Sequence, residues 1–272
     1  MTPSPDLDTI ALLGGGNLGT ALAHGWARAD RLTPDRIHVT RRHAHKLAEL
    51  DEAGFRVGAD NRAAVEAADC IVLAVRPGQV GDVLEEVSDL IGSKPVISVA
   101  TGVSLANLRD ALGDQAPRAA VARAMPNTAV ETLSAMTCLA GDDESGVAIG
   151  AAEDLFGALG RTLRIDEEMM TPATALCACG IAFFLRTVRA AAQGGTEIGF
   201  EADEALLLAA QTARGAADLV LTGRTHPESE IDRVTTPRGC TIAGLNELEH
   251  QGFSSAMIRG ILTSATRAAE LG

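Results

Sequence analysis

The sequence predicts an α/β protein: a doubly wound, largely parallel sheet followed by an all-helical C-terminal part. Three observations carry this. The apolar run Ile10-Ala11-Leu12-Leu13 feeds a glycine-rich turn and then a helix. Short β-branched runs alternate with amphipathic stretches up to about residue 165, and after about residue 166 the strand signals stop. Nearly continuous apolar strands between helices indicate a parallel sheet covered on both faces. The division expected is therefore residues 1–165 for the sheet domain and 166–272 for the helical one.

After Ile10–Leu13, strands are expected at Ile37–Thr40, Phe55–Val57, Cys70–Val75, Pro95–Val99, Ala119–Ala124, Ser134–Ala140 and Arg161–Ile165. Helical stretches fall between them at Leu18–Ala29, His43–Ala53, Asn61–Ala67, Val80–Ile91, Ser104–Leu112 and Asp143–Leu159. In the second part Pro172 suits the first turn of a helix running to about Gln193, with Gly194-Gly195 as its stop. Glu201–Leu221, a shorter helix opening at His226-Pro227, Thr241–His250 and Ser254–Leu271 complete it. The middle helices carry little charge, and the chain has a single tryptophan to fill a core. Apolar helices without an obvious partner usually find one in a second subunit, so a homodimer built from this domain, or a higher homo-oligomer, is expected.

A chain of 272 residues with 46% hydrophobic and 22% charged residues reads as a soluble globular protein. A formal charge of −13 argues against a nucleic-acid partner, which wants a basic face. Residues 1–6 form a short polar tail without a signal sequence, and no apolar run reaches spanning length, so no membrane is expected. Thr174–Leu185 better suits a buried helix. The five cysteines lack a C-x-x-C pair and are odd in number, which reads as small buried thiols in a reducing cytoplasm. Cys177 and Cys179, two apart on a helix, diverge and are read as inert. The six histidines form no metal set; His43 and His45 read as solvated surface pointing apart on a helix.

Gly14, Gly16 and Gly19 satisfy G-x-G-x-x-G in its required context of strand, turn and helix. The first permits the tight turn, the second lets backbone approach a pyrophosphate, and the third lets helix and strand pack closely. Asn17 and Leu18 open the helix whose free N–H groups and positive dipole end face that diphosphate. The pattern is the fingerprint of a Rossmann-type dinucleotide fold. The second strand ends in Thr40-Arg41-Arg42 rather than an acidic residue, which suits the 2′-phosphate of NADPH, with NADH as the alternative.

Further motifs close later strands: Ala74-Val75-Arg76-Pro77, Ser98-Val99-Ala100-Thr101-Gly102 and Ala124-Met125-Pro126-Asn127-Thr128. Near the C-terminus stands Thr235-Thr236-Pro237-Arg238-Gly239-Cys240-Thr241-Ile242-Ala243-Gly244-Leu245. In this order the chain resembles the pyrroline-5-carboxylate reductases, which reduce a cyclic imine to L-proline with NAD(P)H. The resemblance implies that Ala74, Val75, Arg76, Pro77, Ala100, Thr101 and Gly102 line the adenosine and nicotinamide ribose. It puts Asn61 near the adenine end and Asn127 near the nicotinamide. It implies further that Thr236, Arg238, Gly239, Cys240 and Thr241 hold the substrate, backbone N–H groups taking its carboxylate and Thr241 hydrogen-bonding the ring nitrogen. Thr241 can equally be read as the N-cap of its helix. No metal is needed for hydride transfer to an activated imine.

The chain departs from the family pattern at two places. Cys177-Ala178-Cys179-Gly180-Ile181-Ala182-Phe183 stands where S-G-S-G-P-A-Y is usual, and Arg238 replaces a small residue. Arg233 likewise replaces a commonly neutral amide. Two alternatives therefore stand beside proline formation: a reductase of another cyclic imino acid, and a non-catalytic dinucleotide-binding sensor.

Overall fold

The computed structural model describes residues 7–141 and 146–270. The N-terminal tail at residues 1–6 and the first residues of the helix expected over Asp143–Leu159 lie outside the described residues. The chain divides into two compact units. One runs to Cys179 and takes in the residues from Ser264 onward; the other spans Gly180–Thr263.

The first unit holds β1 (Ile10–Leu13), β2 (Ile37–Thr40), β3 (Arg56–Gly58), β4 (Cys70–Leu73), β5 (Val96–Ser98), β6 (Val121–Met125), β7 (Ala135–Gly141) and β8 (Gly160–Arg164). They form one sheet in the order β3-β2-β1-β4-β5-β6-β7-β8. All neighbours are parallel except β6 and β7, so β7 and β8 run against the rest. The order reverses between β1 and β4, and ligands of doubly wound sheets bind in the crevice at that point.

Five helices follow strands here: α1 (Asn17–Arg28), α2 (Ala48–Glu52), α3 (Asn61–Glu66), α4 (Val80–Ile91) and α5 (Leu105–Leu112); α6 (Val147–Gly157) separates β7 from β8. Alternate side chains of β1 serve different cores. Ile10 and Leu12 pack with Leu22 and Trp26 of α1 and with Leu155 and Phe156 of α6. Ala11 and Leu13 pack with Val65, Leu84, Leu108 and their neighbours on α3, α4 and α5. This two-sided burial is why the strand reads as unbroken apolar sequence. Trp26 is wholly buried, and its indole N–H donates to the Leu155 carbonyl at 2.9 Å, so the large ring enters the core without an orphaned donor. Glu167 accepts from the guanidinium of buried Arg123 at 2.9 Å and from the N–H of Leu105 at 2.6 Å. Its charge thereby neutralises β6 and sits at the positive end of α5.

The stretch expected as one helix over His43–Ala53 forms a 3₁₀ turn, Ala44–Leu47, and then the short α2. His43 gives no capping bond and only Leu47 and Leu50 are buried, too little to hold a longer helix. His43 and His45 are exposed as expected, but in this turn their rings come within 5.8 Å of each other rather than pointing apart.

Helical structure continues from α7 (Met170–Ala173) through a wider π turn, Thr174–Cys179. There the Thr174 hydroxyl donates to the Met170 carbonyl at 2.8 Å, competing for the acceptor an α-helix would use.

In the second unit α8 (Gly180–Glu197) and α9 (Ala202–Gly223) pack together. Contrary to expectation, Gly194-Gly195 does not stop the first helix; α8 runs on to Glu197 and turns at Gly199, with φ of 110°. A Cβ at Gly195 would sit 3.0 Å from that of Ala205, so this glycine serves helix–helix approach instead of termination. α10 (Pro227–Val234), α11 (Cys240–His250) and α12 (Phe253–Ala269) follow. The unit is rich in exposed apolar side chains, among them Phe184, Leu185, Ile198, Leu207 and Leu262. The expectation that Thr174–Leu185 lies buried is corrected: Leu176, Phe184 and Leu185 are all more than half exposed. Also against expectation, one helical stretch, Glu167–Glu197, is long and apolar enough to cross a membrane by length and composition.

A Cβ on Gly19 would lie 2.1 Å from the Gly14 carbonyl oxygen, a backbone atom that cannot step aside. Gly19→Ala should therefore cost about 1–3 kcal/mol in urea unfolding, as overpacked core positions do.

Candidate functional site

The turn after β1 is built by its neighbours. The N–H groups of Gly14 and Gly15 both donate to the Thr40 carbonyl, at 3.1 and 2.8 Å, which ties the end of β1 to the end of β2. Gly14 has φ of 117° and lies so close to β4 that a Cβ would be 2.5 Å from the Ala74 carbonyl oxygen. Gly16, by contrast, has nothing within 4 Å of its missing Cβ. It is the N-cap of α1 with no side-chain capping bond, and the first turn, Asn17-Leu18-Gly19, carries no acidic residue. An open glycine before an uncapped helix start fits the diphosphate of a dinucleotide.

The basic pair stands beside this turn. The Arg41 guanidinium donates to the Gly15 carbonyl at 3.0 Å, while Arg42 is exposed. The Thr40 side chain is buried, and its hydroxyl donates to Asn61 Oδ1 at 2.6 Å. Asn61 in turn donates to Glu86 at 2.9 Å. Thr40 and Asn61 thus orient each other, a coupling that their separation of 21 residues hides in the sequence. Ala74–Pro77, Ala100–Gly102 and Asn127 follow β4, β5 and β6, at the carboxyl edge that also carries the glycine turn. Asn127 caps the next 3₁₀ turn through Ala129 N–H and donates to the Cys177 carbonyl at 3.5 Å.

The other predicted residues lie in the second unit. Gly239 N–H donates to the Thr236 carbonyl at 2.9 Å, closing a turn with Pro237 and Arg238 at its centre. Arg238 has φ of 61°, the left-handed conformation that the third position of a type II turn demands and glycine normally fills. A non-glycine residue there costs roughly 1–2 kcal/mol. Gly239 is the N-cap of α11, without a side-chain capping bond. Thr241 is therefore not the cap but lies inside the first turn, and among the described residues nothing hydrogen-bonds its hydroxyl. Cys240 is exposed. No group of three or more metal-ligating side chains occurs among the described residues.

With that geometry in view, comparison with known proteins is decisive. Residues 167–271 match the family described as pyrroline-5-carboxylate reductase dimerisation, and residues 9–102 match NADP oxidoreductase coenzyme F420-dependent. Pyrroline-5-carboxylate reductase 2 of Dictyostelium discoideum is 42% identical, over 96% of this chain and 92% of its own length. The chain belongs to the pyrroline-5-carboxylate reductase family. Pyrroline-5-carboxylate reductase 1 of the same organism is 45% identical, but this chain spans only 49% of its length. The Methanosarcina acetivorans reductase is 35% identical over 97% of both chains. Among solved structures, that of the Coxiella burnetii pyrroline-5-carboxylate reductase has a TM-score of 0.86 at 29% identity, covering 97% of this chain and 98% of that one.

One pairing escaped the sequence entirely. Cys177, read as diverging from Cys179 and inert, faces Cys138 with 3.9 Å between sulfurs. Their separation of 39 residues gave no signal. Either thiol can donate to the other; their contact lowers the Cys177 pKa to about 7 and, helped by burial, pushes Cys138 upward. The reading of all five cysteines as buried thiols is corrected at Cys240, which is exposed, and at the half-buried Cys177 and Cys179. Burial does hold for Cys70, whose pKa it pushes well above the ordinary range. Iodoacetamide labels thiolates, so labelling of Cys177 should rise with pH and level off above about 7. Peptide mass mapping should find Cys70 unlabelled in the folded protein at the same pH.

Proposed function

We propose that this protein reduces pyrroline-5-carboxylate to L-proline with NADPH. The reading is supported above all by the match to reductases of that name along nearly the whole chain, at 42% identity to a relative of which it covers 92%. The bound coenzyme would supply the hydride that reaches the imine carbon. Asn17, Leu18 and Gly19 would hold its diphosphate, with Gly14 and Gly16 giving room. Arg41 and Arg42 would take the 2′-phosphate, and Asn61, held by Thr40, would flank the adenine end. Ala74, Val75, Arg76, Pro77, Ala100, Thr101 and Gly102 would bound the riboses, and Asn127 the nicotinamide.

On the substrate side, the N–H groups at Gly239, Cys240 and Thr241 would receive the carboxylate, where a helix dipole contributes about 0.3–2 kcal/mol. Thr236 would complete that turn, and Arg238 would add charge at its rim. The unpartnered Thr241 hydroxyl would orient the ring nitrogen and pass it a proton as the amine forms. The helical domain, from about residue 166, would pair two copies into a dimer or larger assembly through the apolar faces of α8 and α9. The apolar stretch Glu167–Glu197 would then serve subunit pairing, and the protein would be cytoplasmic.

A panel of cyclic imino acids, assayed by NADPH oxidation, tests the substrate directly. Pyrroline-5-carboxylate should give the highest kcat/KM; a six-membered ring outrunning it would assign the other imino-acid reading, and inactivity with all of them the sensor. Thr241→Ala should lower kcat about 10²-fold, the low end for a proton-transfer group because water can substitute, with NADPH affinity unchanged. Replacing Arg41 and Arg42 by glutamine should raise KM for NADPH far more than for NADH, since only the former carries the phosphate; equal effects would remove the pair from that role.

A further inference from the structure

We propose that Cys138 and Cys177 form an oxidisable dithiol, which a peroxide converts to a disulfide that disturbs the strand end at Asn127. The two sulfurs are 3.9 Å apart and face each other across packed structure. Cys138 is buried on β7, where its register partner is Met125, the last residue of β6. Cys177 lies in the π turn Thr174–Cys179 and packs against the cluster of Met125, Cys138, Ala140, Met170 and Ala173. It is half-buried, open enough for a small oxidant, whereas Cys138 is shielded. Such an arrangement gives one attacking thiol and one resolving thiol. Cys177 is the more accessible sulfur and also the one whose thiolate the contact favours.

The chemistry closes without a metal. The Cys177 thiolate attacks one peroxide oxygen, the O–O bond breaks, and hydroxide departs as water after taking a proton, leaving a sulfenic acid. The Cys138 sulfur then attacks Cys177 sulfur. The S–O bond breaks, the S–S bond forms, and the departing hydroxide leaves as water with the Cys138 proton. Two thiols lose two electrons, and one hydrogen peroxide becomes two waters.

Geometry decides the consequence. A disulfide is about 2.05 Å long, so the sulfurs must close by almost 2 Å from their present separation. β7 lies inside the sheet between β6 and β8, so the π turn is the element with freedom to move. Its Cys177 carbonyl is the acceptor of the Asn127 side-chain amide, and Asn127 follows directly on the Met125-Pro126 strand end. Displacing that carbonyl removes one of the two bonds that orient the Asn127 side chain, leaving only the one from Ala129 N–H. An oxidoreductase that consumes NADPH would thus slow under oxidant, when that reductant is in demand. The effect on turnover rests on the reductase reading; the cross-link does not.

The test treats the whole purified protein with hydrogen peroxide, then maps peptides without reduction and assays NADPH oxidation before and after dithiothreitol. A Cys138–Cys177 cross-linked peptide is expected, with a turnover loss of about 10- to 100-fold, as a displacement on the order of 1 Å near reacting groups can cause. Dithiothreitol should restore activity. Cys138→Ala and Cys177→Ser should each form no cross-link and keep their activity through the same treatment; two variants guard against one folding poorly. Absence of the cross-link, a cross-link with unchanged turnover, or equal losses in both variants would overturn the proposal. A protein that cross-links but never reduces an imine would instead indict the reductase reading, because peptide mapping needs no turnover.

Discussion

The Thr40 carbonyl, receiving the N–H groups of both Gly14 and Gly15, is the interaction on which the glycine turn of the proposed dinucleotide site depends. It joins β1 to β2, while the contact of Gly14 with the Ala74 carbonyl joins β1 to β4. Three strand ends thereby converge on one backbone turn. Each hydrogen bond contributes only about 1 kcal/mol net, but a buried group left unpaired costs more, so the arrangement is all-or-none in effect. Because Thr40 is fixed, its hydroxyl orients Asn61, and Asn61 is further held by Glu86. Because Gly15 is fixed, its carbonyl has a settled position for the Arg41 guanidinium. In a chain of net charge −13, this local concentration of cation and helix dipole is what would let an anionic coenzyme approach in the proposed site.

The second unit answers to a different constraint. α8 and α9 meet through Gly195 and Ala205, small residues that bring backbones close while leaving larger side chains outside. Phe184, Leu185, Ile198 and Leu207 are the result, and so is an apolar groove of ≈ 530 Å³ lined by residues such as Val188, Ala191, Leu208 and Ala209. Exposed apolar area on this scale marks an interaction surface. The match of residues 167–271 to a dimerisation family supports homo-oligomerisation through this part of the chain.

The sheet was legible because its signal is local. Strands buried on both faces read as continuous apolar runs, and every expected strand is found within a residue or two of its expected ends. The glycine turn was legible for the same reason, since strand, turn and helix are contiguous. Features that depend on distant neighbours were not. Gly194-Gly195 has the appearance of a helix stop, and only the position of Ala205 reveals it as a packing surface. The π turn needs the Thr174 hydroxyl to compete for the Met170 carbonyl, which α periodicity cannot anticipate. The Cys138–Cys177 pair joins a strand to a helix on different elements of the first unit. At Thr241, two readings were open from sequence, and the position of Gly239 as N-cap removes the purely structural one.

Arg238, a departure from the usual motif, stands at a turn position that glycine normally fills. Pro237 fixes its own φ near −65°, as the second residue of a type II turn requires. Gly239 is closely packed: a Cβ there would lie 2.5 Å from the Thr236 hydroxyl oxygen and 3.0 Å from its carbonyl oxygen. With the Thr236–Gly239 bond closing the turn, Arg238 takes the left-handed conformation that glycine normally fills. The roughly 1–2 kcal/mol this costs an arginine is absorbed by an over-determined turn, not relieved by reshaping it. The Arg238 side chain puts a positive charge on an exposed rim, ahead of an uncapped helix start whose dipole already favours anions. Both act in the same sense, so in the proposed substrate site the arginine would strengthen the preference for an anionic ligand.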